Sequence, residues 1–135
     1  GDVTGIPGEF RYPGHGDGRV FIPAISVREA PSEHEVLTAL RLAEEGMDVL
    51  FRIDSRKKGA KNPDAEMNQQ VWEFKAPVDS QMKRAGKQTE RLVLDLRRSE
   101  LDDKKSIRDV RQGMQGRHLT QVIVIDHAGN IVHIP

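Results

Sequence analysis

Asp64, Glu73 and Lys75 set two carboxylates and an ammonium within twelve residues of one another. Residues 63–67 and 70–75 read as two short strands separated by Asn68-Gln69. Pairing of those strands would bring Asp64 alongside Glu73. Side chains alternate along a strand, so Glu73 and Lys75 share one face while Trp72 and Phe74 turn the other way, into a core. Two close carboxylates repel unless a cation lies between them, and a divalent metal resolves the conflict. Mg²⁺ is the first expectation, with Mn²⁺ and Zn²⁺ as alternatives. Asp64, Glu73 and the backbone carbonyl after Glu73 would ligate it, with waters and a phosphate completing the octahedron. Lys75 would orient a water or neutralise charge developing on the phosphorus centre. The chemistry such a site would support is phosphodiester hydrolysis. A plainer reading makes Asp64 a turn residue after Pro63 and Glu73/Lys75 an exposed charged pair. It accounts for each residue singly but not for the three clustering at one hairpin.

The elements that would hold these residues follow from periodicity. A helix begins at Ser32, where Ser-Glu-His-Glu forms a capping box, and Val36, Leu37, Leu40 and Ala43 with Ala39 mark its apolar face up to Gly46. Glu35 on this helix has two competing roles: a further carboxylate projecting toward the sheet edge, or the N3 partner of Ser32 in the box. Residues 47–53 have strand composition, and the Lys-rich stretch 54–61 reads as a loop. Pro77 and Asp79 open a second helix over about 79–89. Residues 91–96 form a buried strand reached by that crossover, which makes its pairing with 70–75 parallel. Residues 102–116 form a third helix through Ile107, Val110 and Met114, and 121–125 and 131–134 close the chain as two strands joined by a turn. The expectation is an α/β sandwich on a central mixed sheet, in the order α-β-β-β-α-β-α-β-β. Residues 1–30 read as a flexible Gly/Pro-rich lead-in, within which 21–27 is apolar enough for an edge strand or strap limited by Pro23. Residues 31–135 form the domain.

A length of 135 residues suits one core. The apolar share of 36% and charged share of 31% imply a modest core under a heavily charged surface. The absence of cysteine excludes a disulfide framework, a thiol nucleophile and a thiolate metal site. No apolar run is long enough for a membrane-spanning helix. Twenty-one basic residues balance 21 acidic ones, so distribution matters more than total. Acids dominate residues 29–48, whereas Arg52, Arg56, Lys57, Lys58 and Lys61 form one basic block and Lys83, Arg84, Lys87, Arg91, Arg97 and Arg98 fall in another. Two such blocks either bracket a polyanion or are solvated faces.

The wider wording is more specific than the catalytic residues alone. His34-Glu-Val-Leu-Thr-Ala39, Gly46-Met-Asp-Val-Leu-Phe51, Asn62-Pro-Asp-Ala65, Val71-Trp-Glu-Phe-Lys75, Gln88, Val93-Leu-Asp-Leu-Arg97 and Val122-Ile-Val-Ile-Asp126 resemble the C-terminal tRNA-nuclease domain of CdiA-type contact-dependent growth inhibition toxins. That group lies within the PD-(D/E)xK nuclease superfamily, and the resemblance covers about residues 32–135. It implies a metal-dependent endoribonuclease toxin that cleaves tRNA, is neutralised by a cognate immunity protein, leaves the producing cell and acts in a neighbour's cytoplasm. It carries over Glu35, Asp64, Glu73 and Lys75 as the catalytic set, with Asp64 and Glu73 as metal ligands. Lys57, Lys58, Lys61, Lys83, Arg84, Lys87, Gln88, Arg97 and Arg98 become candidates for the nucleic-acid backbone. Gln88 would hold a phosphate or water, or simply cap the second helix. With few exposed aromatics for stacking, recognition of a folded RNA by shape is expected.

Three rivals remain. A DNA endonuclease of the same superfamily shares every catalytic residue. A binding module that has lost catalysis would bind without cutting. A metal-independent ribonuclease would need a histidine acid and base, but His15, His34, His118, His127 and His133 show no spacing that pairs them with a partner.

Overall fold

The structure is a computed structural model, and it describes residues 9–13, 18–23, 31–51, 65–78, 90–114 and 119–134. The chain divides into two units, residues 1–71 and 72–135. Both mix helix and strand, so the protein is an α/β protein. Among the described residues no helix is long and apolar enough to cross a membrane.

In the first unit, β1 (Glu9–Pro13) and β2 (Arg19–Pro23) form an antiparallel hairpin, with Arg11 opposite Phe21. Helix α1 (Glu33–Glu44) follows, then β3 (Val49–Phe51), which runs parallel to β2. Strand β4 (Ala65–Met67) pairs antiparallel with β3, Phe51 facing Ala65. The expected flexible lead-in over residues 1–30 is therefore corrected at 9–13 and 19–23, which are strands, while the rest of 1–30 apart from Gly18 lies outside the described residues. Composition misled because glycine signals loops, yet Gly18 is a packing glycine. Its N–H donates to Ala43 O at 3.1 Å, and a Cβ built there would overlap the backbone of Ala43 and the carbonyl of Met47. Only a glycine lets the start of β2 approach the end of α1 so closely.

Helix α1 starts at its capping box and stops in a Schellman turn. Gly46, at φ +93°, donates to Ala43 O at 2.9 Å, and Met47 N donates to Leu42 O at 3.2 Å. Its buried face is Glu35, Thr38, Ala39, Leu42 and Ala43. The expected face is thus rotated: Val36 and Leu40 are only half-buried and Leu37 is 50% exposed. At 100° per residue Leu37 lies about 140–160° around the helix from Leu42 and Ala39, so it faces away once those two pack inward.

A two-residue turn with positive φ at both Asn68 (52°) and Gln69 (65°) ends β4 and leads into β5 (Gln70–Lys75). This is the hairpin turn that matches strand twist, and asparagine tolerates its left-handed geometry.

In the second unit, β5, β6 (Arg91–Asp95) and β7 (Gln121–Ile125) are parallel, and β8 (Ile131–Ile134) returns antiparallel to β7. The parallel step from β5 to β6 is the one expected; the helix expected over 79–89 lies outside the described residues. Helix α2 (Asp103–Met114) connects β6 to β7. Val93, Leu94, Val124 and Ile125 are completely buried, which is why these strands read as unbroken apolar runs and not as alternating ones. Leu92, Leu94, Val122, Val124 and Ile134 make one face, on which Val110 of α2 packs with Ile107 and Met114 beside it.

Candidate active site

Strand β5 presents its side chains as alternation requires. Trp72 and Phe74 are each 7% exposed, while Glu73 and Lys75 between and after them are half-buried. Glu73 is in register with Leu92, and Lys75 with Leu94, so the charged pair shares the sheet face that α2 covers farther along. Within the sheet of the second unit, β5 is the outer member, with β6 as its neighbour there. A half-buried carboxylate and ammonium stand here beside an apolar floor, where charge on a bound phosphate would be poorly screened. Trp72 Nε1 is buried and has no hydrogen-bond partner.

Glu35 is 3% exposed in the first turn of α1. Of the two roles that the sequence left open, the structure shows the cap. Oε1 accepts the Ser32 N–H at 2.9 Å and the Ser32 hydroxyl at 2.7 Å, which is the capping task. Oε2 is buried and makes no hydrogen bond. A buried carboxylate oxygen without a donor costs free energy, and a cation or a water held by one would remove that cost. The donor chemistry here, hard carboxylate oxygens with no sulfur, fits Mg²⁺ or Mn²⁺ better than a softer metal.

Asp64 lies outside the described residues, as do Lys57, Lys58, Lys61, Lys83, Arg84, Lys87 and Gln88. Among the described residues no cluster of three or more His, Asp or Glu side chains suits a metal. The expected ligand pair of Asp64 and Glu73 is accordingly not placed.

Arg97 and Arg98 are described, and both hold the fold. Asp95, at the end of β6, is 4% exposed. The Arg97 guanidinium grips it with two nitrogens, Nε to Oδ1 at 3.0 Å and Nη2 to Oδ2 at 2.7 Å, and the Arg97 backbone N–H adds a third bond at 3.1 Å. Two parallel charge-assisted bonds make a geometry that lysine cannot copy. Arg98 donates twice to the carbonyl of Ala76, through Nε at 3.0 Å and Nη2 at 2.6 Å, and so ties the chain after β5 to the turn after β6. Neither guanidinium is simply waiting for a phosphate.

One pairing escaped the sequence. His127 Nδ1 lies 2.7 Å from Asp103 Oδ1 and Nε2 lies 2.6 Å from the Ser99 carbonyl oxygen, although the chain separation is 24 residues to Asp103. Both partners are acceptors, so both ring nitrogens are best protonated. The Ser99 carbonyl first, and then the Asp103 carboxylate, raise the His127 pKa above its ordinary value. With both nitrogens engaged, His127 clamps the β7–β8 turn to α2 and is not poised as a general base. No spacing rule could have signalled it; only the packing of α2 against the end of β7 does.

Comparison with known proteins agrees with the wording of the sequence. The model of the contact-dependent growth inhibition CdiA C-terminal domain family matches residues 61–131, a span that includes Asp64, Glu73 and Lys75. Among solved structures, the toxin and immunity complex CdiA-CT/CdiI from Burkholderia pseudomallei is similar at a TM-score of 0.56 and 28% identity, over 75% of this chain and 81% of that one. No curated protein matches. With more than half of its residues matched, this chain belongs to the CdiA C-terminal domain family.

Proposed function

We propose that this chain is the toxin domain of a contact-dependent growth inhibition protein, a metal-dependent endoribonuclease of PD-(D/E)xK type that cleaves tRNA. It is delivered from the producing cell, acts in the target-cell cytoplasm and is neutralised by a cognate immunity protein. The observation that carries the reading is Glu73 and Lys75 on one half-open face of β5, inside the family-matched span, with Trp72 and Phe74 buried behind them. The partner finds support in the solved relative, a toxin bound to its immunity protein.

By the family resemblance, Asp64 and Glu73 would hold the cation, with Glu35 as a further carboxylate of the catalytic set. A divalent ion so held supplies Lewis-acid stabilisation of the phosphodiester. Lys75 contributes a fixed positive charge against the negative charge that develops on the phosphate oxygens. Phe74 and Trp72 on the same strand keep that charge in place by anchoring β5 from its buried side.

The test is cleavage of total tRNA, and of linear and supercoiled DNA, with Mg²⁺, Mn²⁺ or EDTA. Wild-type protein should destroy tRNA only with metal, and Asp64→Ala and Lys75→Ala should lose that activity while folding normally. Full activity in either variant overturns the assignment. Cutting of DNA instead moves the chain to the DNA branch of the superfamily, and binding without cutting makes it a binding module.

A further inference from the structure

Helix α2 carries three cations in a row. Lys104, Arg108 and Arg111 are exposed, and at 100° per residue they fall within an arc of about 60° along about 10 Å of helix. Among the described residues they make no ion pair or hydrogen bond through their side chains. That differs from Arg91, Arg97 and Arg98, each of which is held by a neighbour. The acids of the same helix do not neutralise the row: Asp103 is committed to His127, and Asp109 lies about 140° around the helix from Lys104. The three cations line an open groove with Gln112, over a floor of Ile107 and Val132. Ile107 and Val132 are the outer rim of the core beneath α2.

The sheet register fixes where this groove stands relative to Lys75. Lys75 pairs with Leu94, Leu94 with Val124, and Val124 with Val132. The groove floor is thus three strand spacings, about 14 Å, from the catalytic strand, on the same sheet face and beyond α2. A ligand touching both must be larger than a nucleotide and must carry negative charge at intervals.

We propose that Lys104, Arg108 and Arg111 form a remote docking rail for the phosphate backbone of the folded RNA that is cut at β5. This rests on the reading of the chain as a tRNA nuclease. A line of evenly spaced cations suits a polyanionic strand, Gln112 adds a neutral donor, and the aliphatic floor accepts the faces of ribose. The rail supplies affinity and register without reading sequence, and a substrate too short to bridge 14 Å gains nothing from it.

The experiment titrates end-labelled total tRNA with the Glu73→Gln protein in EDTA, and with its Lys104→Gln/Arg108→Gln/Arg111→Gln derivative, across a range of salt. Each lost phosphate contact lowers the slope of log K against log salt by about 0.7 to 0.9, so the derivative should lose roughly 2 to 3 from that slope and about tenfold or more in affinity. A charge-keeping derivative, Lys104→Arg/Arg108→Lys/Arg111→Lys, should restore both. The melting temperature of each protein guards against misfolding. If the parent binds tRNA and the Gln derivative keeps its slope, the rail is overturned and the nuclease reading stands. If the parent binds no tRNA, both fall. If the derivative keeps tRNA but loses polyglutamate, the groove belongs to an acidic protein surface, which also overturns the rail.

Discussion

Replacing Arg97 by leucine tests whether the Asp95–Arg97 pair is architectural. Asp95 is 4% exposed, and its two oxygens are gripped by Arg97 at 2.7 and 3.0 Å. Removing one partner of a buried pair leaves an uncompensated charge, at a cost of about 3–5 kcal/mol when burial is complete. The Arg97 side chain keeps 31% of its exposure, and water reaching the vacated space would screen Asp95, so about 2–3 kcal/mol is expected. For a chain of this length that is a fall of roughly 6–12 °C in Tm. Urea unfolding of wild type, Arg97→Leu, Asp95→Asn and the double variant would measure it. The cycle should give the double variant a loss well below the two single losses added together, since the second change removes the charge that the first exposed. A loss under about 0.5 kcal/mol for Arg97→Leu, together with a marked fall in tRNA affinity, would refute the reasoning and return Arg97 to nucleic-acid binding.

Three other expectations follow from local geometry. The His127 pKa is raised, so its contribution to stability is complete below the unfolded value of about 6.5 and is lost as pH rises through the folded value; the Tm gap between wild type and His127→Gln should therefore close toward alkaline pH, and a gap independent of pH would contradict the clamp. Gly18→Ala should cost about 2–3 kcal/mol by urea unfolding, because the new methyl meets backbone that cannot rotate away, and a neutral result would mean that β2 and α1 are not so close. Glu35→Gln keeps the acceptor that caps α1 but removes a buried charge with an unbonded oxygen, so in EDTA the variant should be at least as stable as wild type while losing metal-dependent cleavage; a stability loss above about 1 kcal/mol would make Glu35 purely structural.

The strand that carries Glu73 and Lys75 was legible in the chain. The alternation Trp72-Glu73-Phe74-Lys75 needs only the two-residue period of a strand to put charge on one face and aromatics on the other, and that is how β5 stands. The capping box at Ser32 and the glycine stop at Gly46 are local hydrogen-bonding events, so four to six neighbouring residues suffice to announce them. The unbroken apolar runs of β6 and β7 likewise declare burial on both faces.

What the sequence by itself determined is the set of elements whose causes are local: strands by alternation, helix ends by caps, the parallel step by the length of the crossover. Tertiary structure alone decided the pairings over distance. Gly18 looked like linker until the end of α1 came against it, and Leu37 looked like core until Thr38, Ala39 and Leu42 took the inner face. Arg97 looked free for phosphate until Asp95 was buried beside it, and His127 found Asp103 only when α2 folded over β7 and β8. Burial and charge pairing depend on which distant segments approach. That is a property of packing, to which residue spacing along the chain gives no direct access.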